Sequence, residues 1–358
     1  MALSAADGVA PATAVAWSPL VLFGTLLAAL AAQPWRFDEV LIVDDGSADS
    51  SVALIRRLCP AARILELAAN RGPAAACNAG FAAASCERIL FIDNDVRLTG
   101  DAVRVLMETL DRNLAALVVA PRVVYERAPR TIQYESADCH VSRMMIPRHA
   151  DRPVEAGVSG PAVTGSLITA WFLIDRGRWR GGVPFDESFG FNLEDHDFGL
   201  RATLSGHQLW VDPRAQVLHG TGTSGVSHRA GQAVPEARLF YLVRNRWFVL
   251  AKCFSRRTLV LLARALALIE LGRAAALVAA GRGRPWWRAL VSLAAHRGKL
   301  LAQRLEVQRA RRVRDSAFLS DGGLPLRPWL TGSRGAALAV GLLEATIRLN
   351  RLMVRRWL

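Results

Sequence analysis

The chain of 358 residues reads as a doubly wound, mostly parallel α/β sheet followed by a helical carboxyl-terminal region. Three observations predict this. Short apolar runs rich in β-formers alternate with helical patterns at βαβ spacing. Three of those runs end in polar loops, as the carboxyl edge of a parallel sheet requires. The charge is also split: residues 251–358 hold 21 Lys and Arg against five acids, whereas residues 1–250 hold 24 against 26.

The elements follow in order. Residues 1–11 read as a frayed end, Ala12–Trp17 as a short strand and Leu20–Ala32 as a buried helix ending before Gln33-Pro34. The last has no Lys or Arg ahead of it, so it lacks the positive region of a secretory signal. Glu39–Asp44 is a strand that runs into the turn Asp44-Asp45-Gly46-Ser47, and Ser51–Leu58 is a helix. Arg63–Leu67 is the next strand. It ends at Asn70-Arg71-Gly72-Pro73, where the proline suits the first position of a helix over Ala74–Ala84. Arg88–Ile92 is a continuous apolar run, the pattern of a strand buried on both faces, and it leads into Asp93-Asn94-Asp95. A helix over Asp101–Leu110 and a strand over Ala116–Ala120 complete this part.

The stretch from about 121 to 235 is less regular. Ala162–Ile174 reads as one strand or a pair near the sheet edge, Glu194–Leu204 as a helix, and His207–Val211 and Ala215–Leu218 as two strands. The run after His219 is a glycine-rich loop able to close over a ligand. Thr258–Ala280 is an apolar helix interrupted by Arg264, Glu270 and Arg273, with Glu270 and Arg273 spaced to pair. Three ionisable groups argue against a spanning segment. Residues 282–314 carry ten basic residues and one acid among leucines, Trp286 and Trp287. That is the pattern of a helix lying in a membrane interface, drawn to anionic lipid. Gly335–Leu358 repeats it. No zinc-finger, homeodomain or RNP-type pattern supports a nucleic-acid partner. The expected organisation is a catalytic domain over 1–250 and a membrane-docking tail over 251–358, at the cytoplasmic face of the cell membrane.

The five cysteines are scattered without a C-x-x-C pair, which argues against a disulfide framework or zinc site. There is no G-x-G-x-x-G and no G-x-x-x-x-G-K-[ST], so neither a dinucleotide fold nor a P-loop is indicated. Two carboxylates at i and i+2, Asp93 and Asp95, suit a hard cation such as Mg²⁺ or Mn²⁺. Read alone, Asp93-Asn94-Asp95 fits a solvated turn better than a site. Glu194, Asp195 and Asp197 fall in a first helical turn, which favours acids.

Taken together, Asp44-Asp45-Gly46-Ser47, Asn70-Arg71-Gly72 with Asn78-Ala79-Gly80, Asp93-Asn94-Asp95, Phe185-Asp186-Glu187, Glu194-Asp195-x-Asp197 and His219-Gly220 occur in one order. This set resembles the family 2 glycosyltransferases with their GT-A fold, over about residues 36–250, and is similar to the rhamnosyltransferase-like branch. The resemblance implies inverting transfer from a nucleotide-diphosphate sugar, such as dTDP-rhamnose or a UDP-sugar, to a lipid-linked or cell-surface glycan. It implies Asp95 as metal ligand, with Asp93 assisting or contacting ribose, and His219 as a third ligand. It implies Asp195 as general base, with Glu194 and Asp197 as alternatives and Glu194 as an acceptor contact. Asp44, Asp45, Asn70 and Asn78 would line the nucleotide pocket, and Arg244, in Tyr241-x-x-Arg244-Asn245, would meet phosphate, the acceptor or the membrane surface. Two departures from the family stand out: Ala16-Trp17-Ser18-Pro19 replaces the usual Thr-aromatic-Asn segment, and Cys77 replaces an Arg found in other branches. The rival readings are a non-catalytic membrane scaffold that kept the fold and a nucleotidyltransferase. The latter normally carries a glycine-rich basic loop near its first strand, which is absent here.

Overall fold

The computed structural model describes residues 37–93, 95–140, 145–168, 171–220 and 234–320, the backbone of 12–17, and a few positions between 341 and 349. The expected frayed end over 1–11, the helix over Leu20–Ala32, Asn94, the loop after Gly220 and nearly all of Gly335–Leu358 lie outside the described residues.

The strands are β1 (Ala12–Trp17), β2 (Glu39–Asp44), β3 (Arg63–Glu66), β4 (Arg88–Asp93), β5 (Val96–Leu98), β6 (Ala116–Tyr125), β7 (Ala128–Tyr134), β8 (Ser136–His140), β9 (Met145–Arg148), β10 (Ala162–Thr164), β11 (Trp171–Asp175), β12 (Gln208–His219) and β13 (Leu319–Ser320). The helices are α1 (Ser51–Leu58), α2 (Pro73–Ala83), α3 (Ala102–Arg112), α4 (Glu194–Leu204), α5 (Glu236–Cys253), α6 (Arg256–Leu261), α7 (Ala263–Ala279), α8 (Gly283–Ala295) and α9 (Arg297–Ala310).

Among the described residues, the main sheet has the order β10-β12-β6-β11-β4-β1-β2-β3, with β5 beside β12 and β7 beside β6. β3, β2, β1 and β4 are mutually parallel. The chain reverses its direction of winding between β1 and β4, which is where open α/β sheets form a ligand crevice. Trp17 at the end of β1 is in register with Asp93 at the end of β4 and with Val43 of β2. The three carboxyl ends therefore lie side by side. Leu41–Val43, Ile89–Ile92, Leu117–Val119 and Phe172–Ile174 are buried, as strands covered on both faces must be.

Two expectations are corrected here. The Ala162–Ile174 segment does hold two strands, but β11 is central rather than peripheral: it lies antiparallel between β4 and β6. Its apolar run Trp171-Phe172-Leu173-Ile174 is fully buried, which an edge position would not achieve. The predicted strands His207–Val211 and Ala215–Leu218 are one strand, β12, interrupted by a register shift between Asp212 and Gln216. Pro121 of β6 pairs with Asp212 at that point, and Pro213 follows. Neither proline has an N–H for the ladder, so pairing breaks and then resumes.

The chain divides into two compact units. The first comprises residues 1–136, 148–198 and 207–222 and contains the main sheet. Within it, Phe91 stacks on Phe172 at 4.8 Å, Phe185 lies edge-on to Phe172, and Phe198 lies edge-on to Phe185. These rings seat the Phe185–Gly190 loop and the start of α4 against β4 and β11.

The second comprises residues 137–147, 199–206 and 223–358. Its helices bury Val234, Leu239, Val243, Leu277 and Ala289, with Phe240, Trp247 and Trp286 packed against them. The helical run expected over Thr258–Ala280 breaks at Leu262, and that over 282–314 breaks at His296. Glu270 pairs with Arg246 of α5 and accepts from Trp286 Nε1. Part of the basic residues has internal work. Arg304 donates to Ala251 O and Phe254 O at 2.6 and 2.7 Å, and Gln308 donates to Lys252 O at 3.0 Å. They satisfy the carbonyls that α5 leaves open at its end.

Candidate active site

The turn after β2 is built against the loop after β3. Gly46 has φ of 74°, and a Cβ there would lie 2.8 Å from Ala69 C and Asn70 N, so only glycine fits. The backbone N–H groups of Arg71 and Gly72 donate to Asp45 Oδ1 and Oδ2 at 2.9 and 2.8 Å. Both Asp45 oxygens thus help hold this loop. Asn78 is similar. Its amide donates to Phe185 O and accepts from Phe185 N at 2.8 and 3.0 Å, which clamps α2 to the Phe185–Glu187 loop. Asp44 is different: Oδ2 accepts from Ser47 N at 3.0 Å, while the buried Oδ1 has no partner among the described residues. Asn70 is exposed on the same loop.

β4 delivers Asp93 at its end, and the next turn delivers Asp95. β12 runs parallel to β6 and ends at His219, which pairs in register with Val96 of β5. These elements bring the ligand atoms of Asp93, Asp95 and His219 within 4.8 Å of one another. His219 Nε2 lies 3.2 Å from Asp95 Oδ1, and His219 Nδ1 lies 2.8 Å from Gln133 Oε1. Burial pushes the Asp93 carboxyl up to about 7; the charge of Asp95 adds to this, that of His219 opposes it, and that of Asp195 adds again. For His219, burial works against the proton, but the hydrogen bond to Asp95 and the charges of Asp95, Asp93 and Glu126 outweigh it and raise its value. Crowded carboxylates of this kind are relieved by a divalent cation, and two oxygens with an imidazole nitrogen suit Mn²⁺ or Mg²⁺, the nitrogen favouring Mn²⁺. The residues present therefore fit a metal.

α4 begins under strain. Asn192 and Leu193 adopt φ of 65° and 66°, a region costly for side-chain-bearing residues and most of all for Leu193. The two left-handed residues turn the chain sharply into Glu194 and Asp195. Asp195 is half-buried and Glu194 buried. The charge of Asp195 acts on both Asp93 and Tyr134. The thiol of buried Cys77 is raised by burial first and then by the charges of Asp93, Glu194 and Asp45. The acids at the ends of β2 and β4 and at the start of α4 therefore surround one locality. Arg244 belongs to the second unit, on α5, where it donates to Asn245 Oδ1 and lies 5.0 Å from the ring centroids of Phe240, Tyr241 and Phe248.

Residues 23–166 match the model for glycosyl transferase family 2. Over this segment the chain is similar to the family 2 glycosyltransferases. Asp44, Asp93 and Asp95 fall inside the matched range, and Asp195 and His219 fall beyond it. The succinoglycan biosynthesis protein ExoO of Rhizobium meliloti (strain 1021) is 39% identical over 82 residues, which is 23% of this chain and 24% of that protein. The chain thus spans about a quarter of the length of the curated relative it matches. Among solved structures, GalNAc-T7 with UDP, GalNAc and Mn²⁺ superposes with a TM-score of 0.50 at 13% identity, over 66% of this chain and 48% of that one. A mannosyltransferase from Pyrobaculum calidifontis in complex with GDP-Man and Mn²⁺ gives 0.49 at 14% identity, over 98% and 88%. The architecture is that of the GT-A glycosyltransferases, a mixed α/β sheet followed by a helical region.

Sequence reading missed Gln133 and Tyr134. Both lie in a segment without clear periodicity, and no motif flags either one.

Proposed function

We propose that this chain is an inverting glycosyltransferase that moves a sugar from a nucleotide-diphosphate donor to a hydroxyl of a lipid-linked or cell-surface glycan. The observation that carries the reading is the Asp93–Asp95–His219 cluster at the carboxyl edge of the parallel strands, close enough to Asp195 for its charge to act on Asp93. Asp95, Asp93 and His219 would hold Mn²⁺ or Mg²⁺, which when bound supplies charge neutralisation to the departing diphosphate. Asp195 accepts the proton of the acceptor hydroxyl as that oxygen bonds to the anomeric carbon. The bond from this carbon to the diphosphate oxygen breaks, and its electron pair leaves with the diphosphate. Attack from the opposite face inverts the anomeric centre. Asp44 Oδ1, buried without a described partner, is placed to accept from the base or ribose. Glu194 would contact the acceptor. The role of ExoO in succinoglycan biosynthesis supports a polysaccharide acceptor, and the motif set supports dTDP-rhamnose or a UDP-sugar as donor.

The same proposal places the enzyme on an anionic membrane surface at the cytoplasmic face. No helix among the described residues is long and apolar enough to cross a membrane. What supports docking is apolar side chains left in solvent on basic helices: Leu271 and Val278 with Arg264 on α7, Trp287 and Val291 with Arg284 on α8, and Leu301 and Leu305 with Arg309 on α9. Trp287 is 62% exposed. Each set recurs at helical spacing, so each marks one face.

The test is thermal stability with Mn²⁺ and a panel of nucleotide sugars, followed by donor consumption by wild type and Asp195→Asn. A donor that raises the melting temperature only with metal is expected, as is a loss of roughly 10²–10⁴-fold in rate without the base. Unchanged transfer by Asp195→Asn would remove Asp195 from the mechanism. No response to any donor would leave the scaffold reading in its place.

A further inference from the structure

We infer that Gln133 is a positioning residue that sets the tautomer of His219 and thereby its competence as a metal ligand; this rests on the metal assignment proposed above. His219 has two neighbours competing for its proton. Asp95 Oδ1 lies 3.2 Å from Nε2, and Gln133 Oε1 lies 2.8 Å from Nδ1. In a neutral imidazole only one nitrogen carries hydrogen. If that hydrogen sits on Nε2 it donates to Asp95, and it occupies the position where a cation shared by His219 and Asp95 must bind. If it sits on Nδ1 it donates to Gln133, and the Nε2 lone pair faces the carboxylates. Asp95 alone draws the hydrogen to the wrong nitrogen. Gln133 supplies the opposing acceptor.

The backbone at Gln133 has a local irregularity. Val123 of β6 pairs with Tyr134 of β7, but Val124 pairs with Ile132. Gln133 is the residue left over, the extra member of a β-bulge. Bulges break the alternation of side chains and re-aim the inserted one, and they recur beside active sites. β7 and β12 both pair with the carboxyl-terminal part of β6, so the bulge turns Gln133 toward the end of β12, where His219 stands. A hydrogen bond at this position is the outer-shell contact that orients metal-binding histidines, and loss of such contacts costs about 10–100-fold in metal affinity.

The experiment is Mn²⁺ titration of the full chain, with the free ion followed by electron paramagnetic resonance and ¹⁴N coupling of bound Mn²⁺ read by spin-echo modulation. Wild type is expected to bind with ¹⁴N modulation from His219, and His219→Ala to bind without it. Gln133→Leu, and Gln133→Met as a second apolar variant of nearly the same shape, are expected to bind roughly 10–100-fold more weakly with the ¹⁴N modulation lost. Gln133→Glu, which keeps the acceptor, is expected to retain both binding and modulation. Apolar variants that remain folded, bind within about twofold of wild type and keep the modulation would overturn this inference alone, since loss of a ligating outer-shell contact costs far more. Absence of Mn²⁺ binding by the wild-type chain would overturn the metal assignment and this inference with it.

Discussion

His196 makes the start of α4 sensitive to acid. It is fully buried between Glu194-Asp195 and Asp197; Nδ1 lies 2.8 Å from Ser166 Oγ, and Nε2 has no partner among the described residues. Burial depresses it to about 4, against an opposing contribution from the Asp197 charge. A histidine lowered from 6.5 to about 4 is neutral in the folded chain, whereas the unfolded chain takes up its proton as soon as pH falls below 6.5. Its stabilising contribution is therefore complete above that value and is lost as pH falls toward 4. The shift corresponds to about 3 kcal/mol in total, of which about 2 kcal/mol is lost by pH 5. The perturbation is His196→Asn, which keeps a polar partner for Ser166 but does not titrate. Urea unfolding is measured on both proteins between pH 8 and 4. Wild type and variant share every other titrating group, so the difference between their stabilities isolates His196. That difference is expected to shrink by about 2 kcal/mol between pH 8 and pH 5. A difference that stays constant over this range would refute a neutral, desolvated His196.

Asp45→Ala removes the acceptor of the Arg71 and Gly72 N–H groups; unfolding stability is expected to fall by about 2–4 kcal/mol, and retention of full stability would show that these bonds do not hold the loop. Arg304→Ala exposes two carbonyls at the end of α5 and is expected to cost about 2 kcal/mol, read by the same denaturation, with Lys in place of Arg restoring only part. The triple change Trp287→Ser, Val291→Ser, Leu271→Ser is expected to abolish flotation of the full chain with phosphatidylserine vesicles at low salt while leaving donor binding unchanged; continued flotation would remove these faces from the docking surface. Asp95→Asn is expected to eliminate any Mn²⁺-dependent rise in melting temperature, and a rise of wild-type size would show that the cation binds elsewhere.

Most of the parallel half of the sheet was legible because each of its strands is a local pattern. Glu39–Asp44 and Arg88–Asp93 are apolar runs that end in acids, and a strand buried on both faces can only be written that way. Asp44, Asp93 and Asp95 were visible for the same reason: they terminate those runs. The middle of the chain was less so. β7, β8 and β9 have mixed polarity and short lengths, and Gln133 owes its orientation to an insertion defined only relative to its partner strand. Proline broke the apparent continuity of β12, although its ladder resumes beyond the break. Asp45 and Asn78 carry the residue types a nucleotide pocket uses, and their hydrogen bonds also brace neighbouring loops. Residue type alone does not distinguish a side chain that binds a ligand from one that braces the loop beside it.

The sequence by itself determined which segments are buried strands, where the polar loops that end them fall, and which acids stand at those ends, because side-chain periodicity and turn chemistry are local. Only the tertiary structure decided that β11 lies between β4 and β6, that His219 meets Asp95, and that Gln133 reaches the far side of that imidazole. Strand periodicity specifies which face a side chain occupies, but it leaves open which strand lies alongside and in what register. A site assembled from the ends of β4, β7 and β12 is settled by that pairing.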